Sequence, residues 1–117
     1  MKDDFWSWLE QLVSTGTVVI DRPKGSHHPS YPEIVYPLNY GYLKETSSGD
    51  HEDIDVWIGS SQKRVLSGLI VTLDLEKRDA EIKLLVGCTQ PDTQTILAFH
   101  NRGMMRAICM HKPKDNE

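Results

Sequence analysis

Phe5, Trp8, Leu9, Leu12 and Val13 recur three and four residues apart, the spacing of one face of an α-helix. Asp3 and Asp4 precede this stripe, where the positive end of the helix dipole favours acids, and Ser14-Thr-Gly16 closes it. The pattern predicts a short amphipathic helix lying on a core. From residue 17 the apolar period becomes that of strands. Residues 17–20 are β-branched and predict a short strand, and residues 34–36 predict another. Between them runs a loop with two prolines and a glycine, Asp21-Arg-Pro-Lys-Gly-Ser-His-His-Pro29. Residues 54–58 alternate, with Ile54, Val56 and Ile58 on one face and Asp55 and Trp57 on the other. Residues 64–75 form a long strand candidate in which Gly68 permits a bulge, and a polar turn over 76–79 leads to a strand over 80–88. Gln90-Pro-Asp-Thr opens a helix expected over 92–102 with Gly103 as its stop, and residues 104–110 read as a last strand. The tail from Lys112 reads as frayed. This order predicts a mainly β (α+β) domain spanning 1–117. Its expected form is a small, closed or nearly closed antiparallel barrel with an N-terminal and a C-terminal helix packed outside.

Charge narrows the function classes. The net charge of −4 opposes binding to nucleic acid or an anionic membrane, since neutralising phosphates requires a basic surplus. Cys88 and Cys109 do not make a disulfide framework and read as two thiols in a reducing compartment. The acidic N-terminus has the wrong charge for a secretory signal, and no run is long enough to span a bilayer, so a cytoplasmic location is expected. The exposed apolar stripe of the first helix leaves a homo-oligomer open.

The candidate chemistry lies in Tyr36-Pro-Leu-Asn-Tyr-Gly-Tyr42 and the acidic stretch that follows. There Asp50, Glu52, Asp53 and Asp55 fall within six residues and run into an apolar strand. Carboxylates so close repel one another unless a cation compensates. Glu81, with Glu76 or Asp79 from the next hairpin, is placed by the strand pattern to join them. An oxygen-only donor set favours Mg²⁺ or Mn²⁺ over Zn²⁺, and the spacing does not fit an EF-hand, whose mid-loop glycine and closing glutamate are missing. Arg22, Lys24, His27 and His28 lie within seven residues of the first loop; alone they read as a solvated loop, and paired with the acidic stretch they read as an anion clamp, with Lys83 and Arg102 adding positive charge. Metals with scattered cations, and no nucleophilic Ser or Cys motif, point to hydrolysis of a phosphoanhydride by activated water.

These segments resemble the soluble (family I) inorganic pyrophosphatases, in a shortened form. The resemblance rests on Ile20-Asp-Arg-Pro-Lys-Gly-Ser26, the tyrosine turn, Asp50-His-Glu-Asp-Ile-Asp-Val56 and Glu81-Ile-Lys-Leu-Leu-Val86, and covers about residues 18 to 88. It implies an OB-type barrel, Mg²⁺ as cofactor and pyrophosphate as a small-molecule substrate. It implies Asp50, Asp55 and Glu81 as direct metal ligands, with Asp55 bridging, and Asp21 and either Glu76 (by spacing) or Asp79 as further acidic metal-site positions. Glu52 takes the position of the water-activating carboxylate. Tyr40, Lys24 and Lys83 take phosphate-contacting positions, with His28 and Arg102 standing where the family places other cations. The sequence departs from the family in Glu52 and Glu81, where aspartate is usual, and in lacking most of the hairpin before the tyrosine turn. Two other readings stay open. One is an OB-type module stacking single-stranded nucleic acid on Tyr31, Tyr36, Tyr40 and Tyr42. The other is a catalytically weak relative that binds metal and a phosphate or nucleotide.

Overall fold

A computed structural model describes residues 4–114, so Asp3 and the end of the tail lie outside the described residues. Helix α1 (Phe5–Thr15) starts at Asp4, whose carboxylate accepts the Ser7 N–H at 2.9 Å, as an N-cap does. Strands β1 (Val18–Arg22), β2 (Asn39–Leu43) and β3 (Ile54–Ile58) follow, then β4 (Leu66–Asp74), β5 (Asp79–Val86), helix α2 (Gln90–His100) and β6 (Met105–His111). Outside residues 34–43 the order of elements matches the alternation in the sequence, with boundaries moved by one or two residues. Residues 39–43, part of the expected tyrosine turn, instead form β2, and the strand expected over 34–36 is not formed. It reduces to a single bridge, His27 with Val35, inside a folded arm that joins β1 to β2.

The six strands form one sheet in the order β1-β2-β3-β5-β4-β6, with β1 and β6 at opposite edges and unpaired to each other. The expected mainly β architecture with two helices is present, but the expected closure into an antiparallel barrel is not. β3 and β5 run parallel, because the whole of β4 lies between them in sequence and pairs on the far side of β5. Helices, rather than a returning sheet, cover the two faces. On one face Leu43, Val56, Ile58, Leu69, Leu84 and Val86 are buried beneath Trp6, Leu9 and Val13 of α1. On the other, Tyr36, Leu38, Trp57, Ile70 and Leu85 pack with Ile96 of α2 and with Leu97 and Phe99. The packed face of α1 therefore differs from the predicted stripe, since Phe5, Trp8 and Leu12 are exposed. Six large apolar residues surround this short helix, and spacing alone does not choose among them.

Helix α2 is fixed at its start by a capping box. Thr89 accepts the Asp92 N–H, Asp92 accepts the Thr89 N–H, and the Asp92 carboxylate also binds the backbone and hydroxyl of Ser60. This ties the end of β3 to the helix that roofs the second face. Gly41 is required for a different reason: a Cβ there would stand 1.8 Å from the Val19 carbonyl oxygen. Only a residue without a side chain lets β2 lie against β1 beside the bulge at 20–22. Among the described residues no helix is long and apolar enough to cross a membrane.

Candidate active site

The sheet register brings the predicted chemistry together. Tyr40 pairs with Trp57, Tyr42 with Asp55, and the parallel pairing sets Asp55 directly beside Lys83. Asp55, Glu81 and Lys83 project to the α2 face, opposite Val56, Ile82 and Leu84. Lys83 is 6 % exposed. Its ammonium donates to Asp55 Oδ2 at 2.7 Å, Tyr40 Oη at 2.9 Å and Glu81 Oε1 at 3.1 Å. An ammonium has three donors, and all three are used here. Burial works against the charged amine, but Tyr40 and Asp55 outweigh it and hold the Lys83 pKa above the usual lysine value. Burial, reinforced by Asp55, pushes the Tyr40 hydroxyl well above the ordinary phenol range, so it stays protonated.

This cluster forms one wall of a cavity of about 640 Å³. Asp21 of β1, Glu76 of the β4–β5 turn and Asp74 of β4 add carboxylates to the lining. Arg22, Lys77 and Arg102 add guanidinium and ammonium groups. Arg22 donates to Tyr36 Oη at 2.7 Å and lies over its ring, and Arg102 lies 4.5 Å from the centre of the Phe99 ring. His28 enters from the arm. Its pKa is lowered, first by desolvation and then by Arg22 and Lys77, so it is neutral at pH 7. His100 closes the floor, where its Nε2 accepts the Trp57 indole N–H at 3.1 Å. Burial, then Lys83 and Arg102, bring its pKa down to about 3. The Cys88 thiol is pushed up to about 12, mainly by burial and then by Asp92, so it is no nucleophile at neutral pH.

Of the residues singled out from the sequence, Asp21, His28, Tyr40, Asp55, Glu76, Glu81, Lys83 and Arg102 line this cavity. Lys24, Asp50 and Glu52 do not, nor does Asp79. Asp50 sits at the rim of a second, largely apolar groove of about 720 Å³ under Phe5, Leu9 and Ile82, with Asp79 and Glu81 on the same rim. Its carboxylate is held by the Ser48 hydroxyl and by the Glu52 N–H, which lower its pKa. Glu52 is exposed on that loop, and Lys24 is exposed with its backbone N–H bound to Asn39 Oδ1 at 2.8 Å. Asp74 and Lys77 were not singled out. The hairpin pairing Asp74 with Asp79 bends them over the cavity, and the run Asp74-Leu-Glu-Lys77 carries no distinctive signal beyond turn composition.

Five carboxylates around one cavity, with no cysteine among them, suit a hard divalent cation in kind. Among the described residues no three His, Cys, Asp or Glu side chains converge on one point to hold a metal ion. Instead the Lys83 ammonium occupies the place where Asp55 and Glu81 meet. The acids are thus assembled around an internal cation.

No protein-family model matches the chain, and no curated protein matches its sequence. By structure it is similar to an inorganic pyrophosphatase from Neisseria gonorrhoeae, with a TM-score of 0.62 and 17 % sequence identity. The match covers 76 % of this chain and 77 % of that one. The class defined by this comparison is a pyrophosphatase-like fold.

Proposed function

We propose that this chain is a divalent-cation-dependent phosphoanhydride hydrolase, with pyrophosphate as substrate and Mg²⁺ or Mn²⁺ as cofactor. The observation that carries this reading is the buried Lys83, held by Tyr40, Asp55 and Glu81 inside an acid-lined cavity. Asp55 and Glu81, with Asp21 and Glu76, would hold the cation. Asp50 would join them from the rim that it shares with Glu81. When bound, the cation supplies charge neutralisation and a water of lowered pKa. The chain's own part is to bind and orient the phosphates. Lys83, freed from Asp55 and Glu81 when these hold the cation, and Tyr40 would donate to phosphate oxygens from the floor, with His28 and Arg102 at the open side and Lys24 on the loop beyond it. A buried ammonium is already desolvated, so its interaction with a bound anion is strong and it has little hydration left to lose.

The similarity in fold to a pyrophosphatase supports this reading. Phosphate release from pyrophosphate tests it, with Mg²⁺ or Mn²⁺ against EDTA, in wild type and Asp55→Asn. Metal-dependent release that the substitution removes is the expected result, and no release with either metal would overturn the reading. A second reading is favoured by the position of Glu52, exposed on a loop outside the cavity where water activation would be needed. In it the chain binds metal and a phosphate compound without turning it over. Binding by calorimetry with no release would establish that reading instead. The nucleic-acid reading fares worse, because Tyr36 is buried, Tyr40 and Tyr42 are half-buried, and only Tyr31 of the four is exposed.

A further inference from the structure

The Lys83 cluster occupies only one end of the cavity. From it a row of aromatic rings leads outward. Tyr40 stacks on Tyr36 with centroids 5.3 Å apart, and Tyr36 on His28 at 6.3 Å with planes 11° apart. His28 in turn lies 5.1 Å from Tyr31. From Tyr36 outward the row opens to solvent: Tyr36 is 4 % exposed and Tyr31 57 %. Both outer rings lie on the arm between β1 and β2, and the arm is ordered by its own hydrogen bonds. His28 Nδ1 accepts the N–H groups of Ser30 and Tyr31 at 3.0 and 3.2 Å, and Ile34 donates to the Tyr31 carbonyl at 2.9 Å. His27 and Pro32 close the base of the loop. Tyr31 is thus an exposed ring on a fixed backbone, which costs little further ordering when a ligand stacks on it.

His28 presents a second feature. With Nδ1 accepting from the turn, the proton of the neutral ring is on Nε2, and that N–H has no hydrogen-bond partner among the described residues. His28 and Tyr31 both line the cavity. A pair of bridged phosphates on Lys83 and Tyr40, even with His28 in reach, would leave the exposed Tyr31 ring unused. A cavity of about 640 Å³ is of the size that accepts a ligand with a ring system as well as a charged group.

We infer that the cavity binds a nucleoside phosphoanhydride, with the phosphates toward Lys83 and Tyr40 and the base stacked on Tyr31 beside the His28 N–H. This rests on the hydrolase site proposed above and extends its substrates from pyrophosphate to the nucleoside phosphoanhydrides. Hydrolysis adds one water across the P–O–P bridge. The water oxygen bonds to the attacked phosphorus, the bridging P–O bond breaks, and the water protons pass to the products or to solvent. The base takes no part in this step. Its role is to supply affinity through stacking, which tolerates any base and is strongest for a purine.

The test measures binding, so it does not depend on turnover. Calorimetry with Mg²⁺ present compares two non-hydrolysable ligands, α,β-methylene-ADP and methylenediphosphonate, on wild type, Tyr31→Ala and Tyr31→Phe. Stacking of one base predicts that wild type prefers the nucleoside ligand by about tenfold or more. Tyr31→Ala loses most of that preference and Tyr31→Phe keeps it. Equal affinity of wild type for the two ligands overturns the inference and leaves the phosphate site standing. A preference that survives Tyr31→Ala overturns it as well. If neither ligand binds, the phosphate site and the base site fall together.

Discussion

Replacing His100 with glutamine should make the protein markedly less sensitive to acid. His100 is 6 % exposed, accepts the Trp57 indole N–H at 3.1 Å, and has a pKa of about 3 against 6.5 for an unconstrained histidine. Below pH 6.5 the unfolded chain therefore binds a proton that the native state does not. Stability from this group is complete above pH 6.5 and is lost as pH falls towards 3. Each pH unit in that window costs about 1.4 kcal/mol. Between about pH 7.5 and about pH 4.5 the charge accounts for roughly 3 kcal/mol, a large part of the roughly 5–15 kcal/mol typical of a domain. The carbonyl of the introduced glutamine can still accept from Trp57 but cannot titrate. Urea unfolding of wild type and His100→Gln at the two pH values measures the difference directly. The variant is less stable at the higher pH but should lose about 3 kcal/mol less on acidification. Equal losses in the two proteins would refute the argument and mean that His100 is protonated in the folded state.

Asp55→Asn should lower metal-dependent phosphate release at least ~100-fold with the fold intact, as read by turnover and circular dichroism; near-wild-type turnover would remove Asp55 from the site. Lys83→Met should destabilise by about 2 kcal/mol, less than for a fully buried pair because Asp55 and Glu81 keep some water. Mg²⁺ should then raise the melting temperature of that variant more than that of wild type, since the ammonium no longer stands between the carboxylates; an equal or smaller rise would mean that no cation takes its place. Gly41→Ala should abolish or severely weaken folding, because its Cβ would overlap the Val19 carbonyl; a cooperative transition within ~1 kcal/mol of wild type would show that β1 moves aside freely. Asp92→Ala should cost about 2 kcal/mol through loss of the α2 cap and of the Ser60 bonds, measured by urea unfolding; a loss under ~0.5 kcal/mol would show the cap to be dispensable.

The parts of the fold legible from the sequence are those with a clear local period. Residues 54–58 alternate as the structure places them, with Trp57 and Asp55 on one face and Val56 and Ile58 on the other. Helix α2 follows its Pro91 and Asp92 signals, while the Thr89 cap is seen only in the structure. What the sequence did not show depends on long-range pairing. Residues 34–36 have strand composition, but Tyr36 serves as a core ring and its neighbours fold back on the arm instead of entering the sheet. The parallel β3–β5 contact has no local signature, and with it the barrel remains open. Within the site, the tyrosine turn and Glu81-Ile-Lys83 marked residues that do meet. Asp50 and Glu52 were grouped with them by proximity in sequence. The loop keeps both out of the cavity lining, with Asp50 held by Ser48 and the nearby backbone at a rim beside Glu81. Arg22 was visible as part of a basic loop, but its contact with Tyr36 needs the register of β1 on β2.

The parallel pairing of β3 with β5 also has a consequence for synthesis. As the chain leaves the ribosome, β1, β2 and β3 are complete before any of β5 exists, and the whole of β4 must be made in between. During that interval β3 has a partner on one edge only, and Val56, Trp57 and Ile58 lack the strand that later lies against them. The nascent β1–β3 sheet is therefore an exposed apolar template until Lys83 and its neighbours arrive. Bringing β5 between β3 and β4 is a non-local closure and a slow one. Asp55 and Lys83 make contact only at that step, so the centre of the site waits on the joining of the two halves of the sheet.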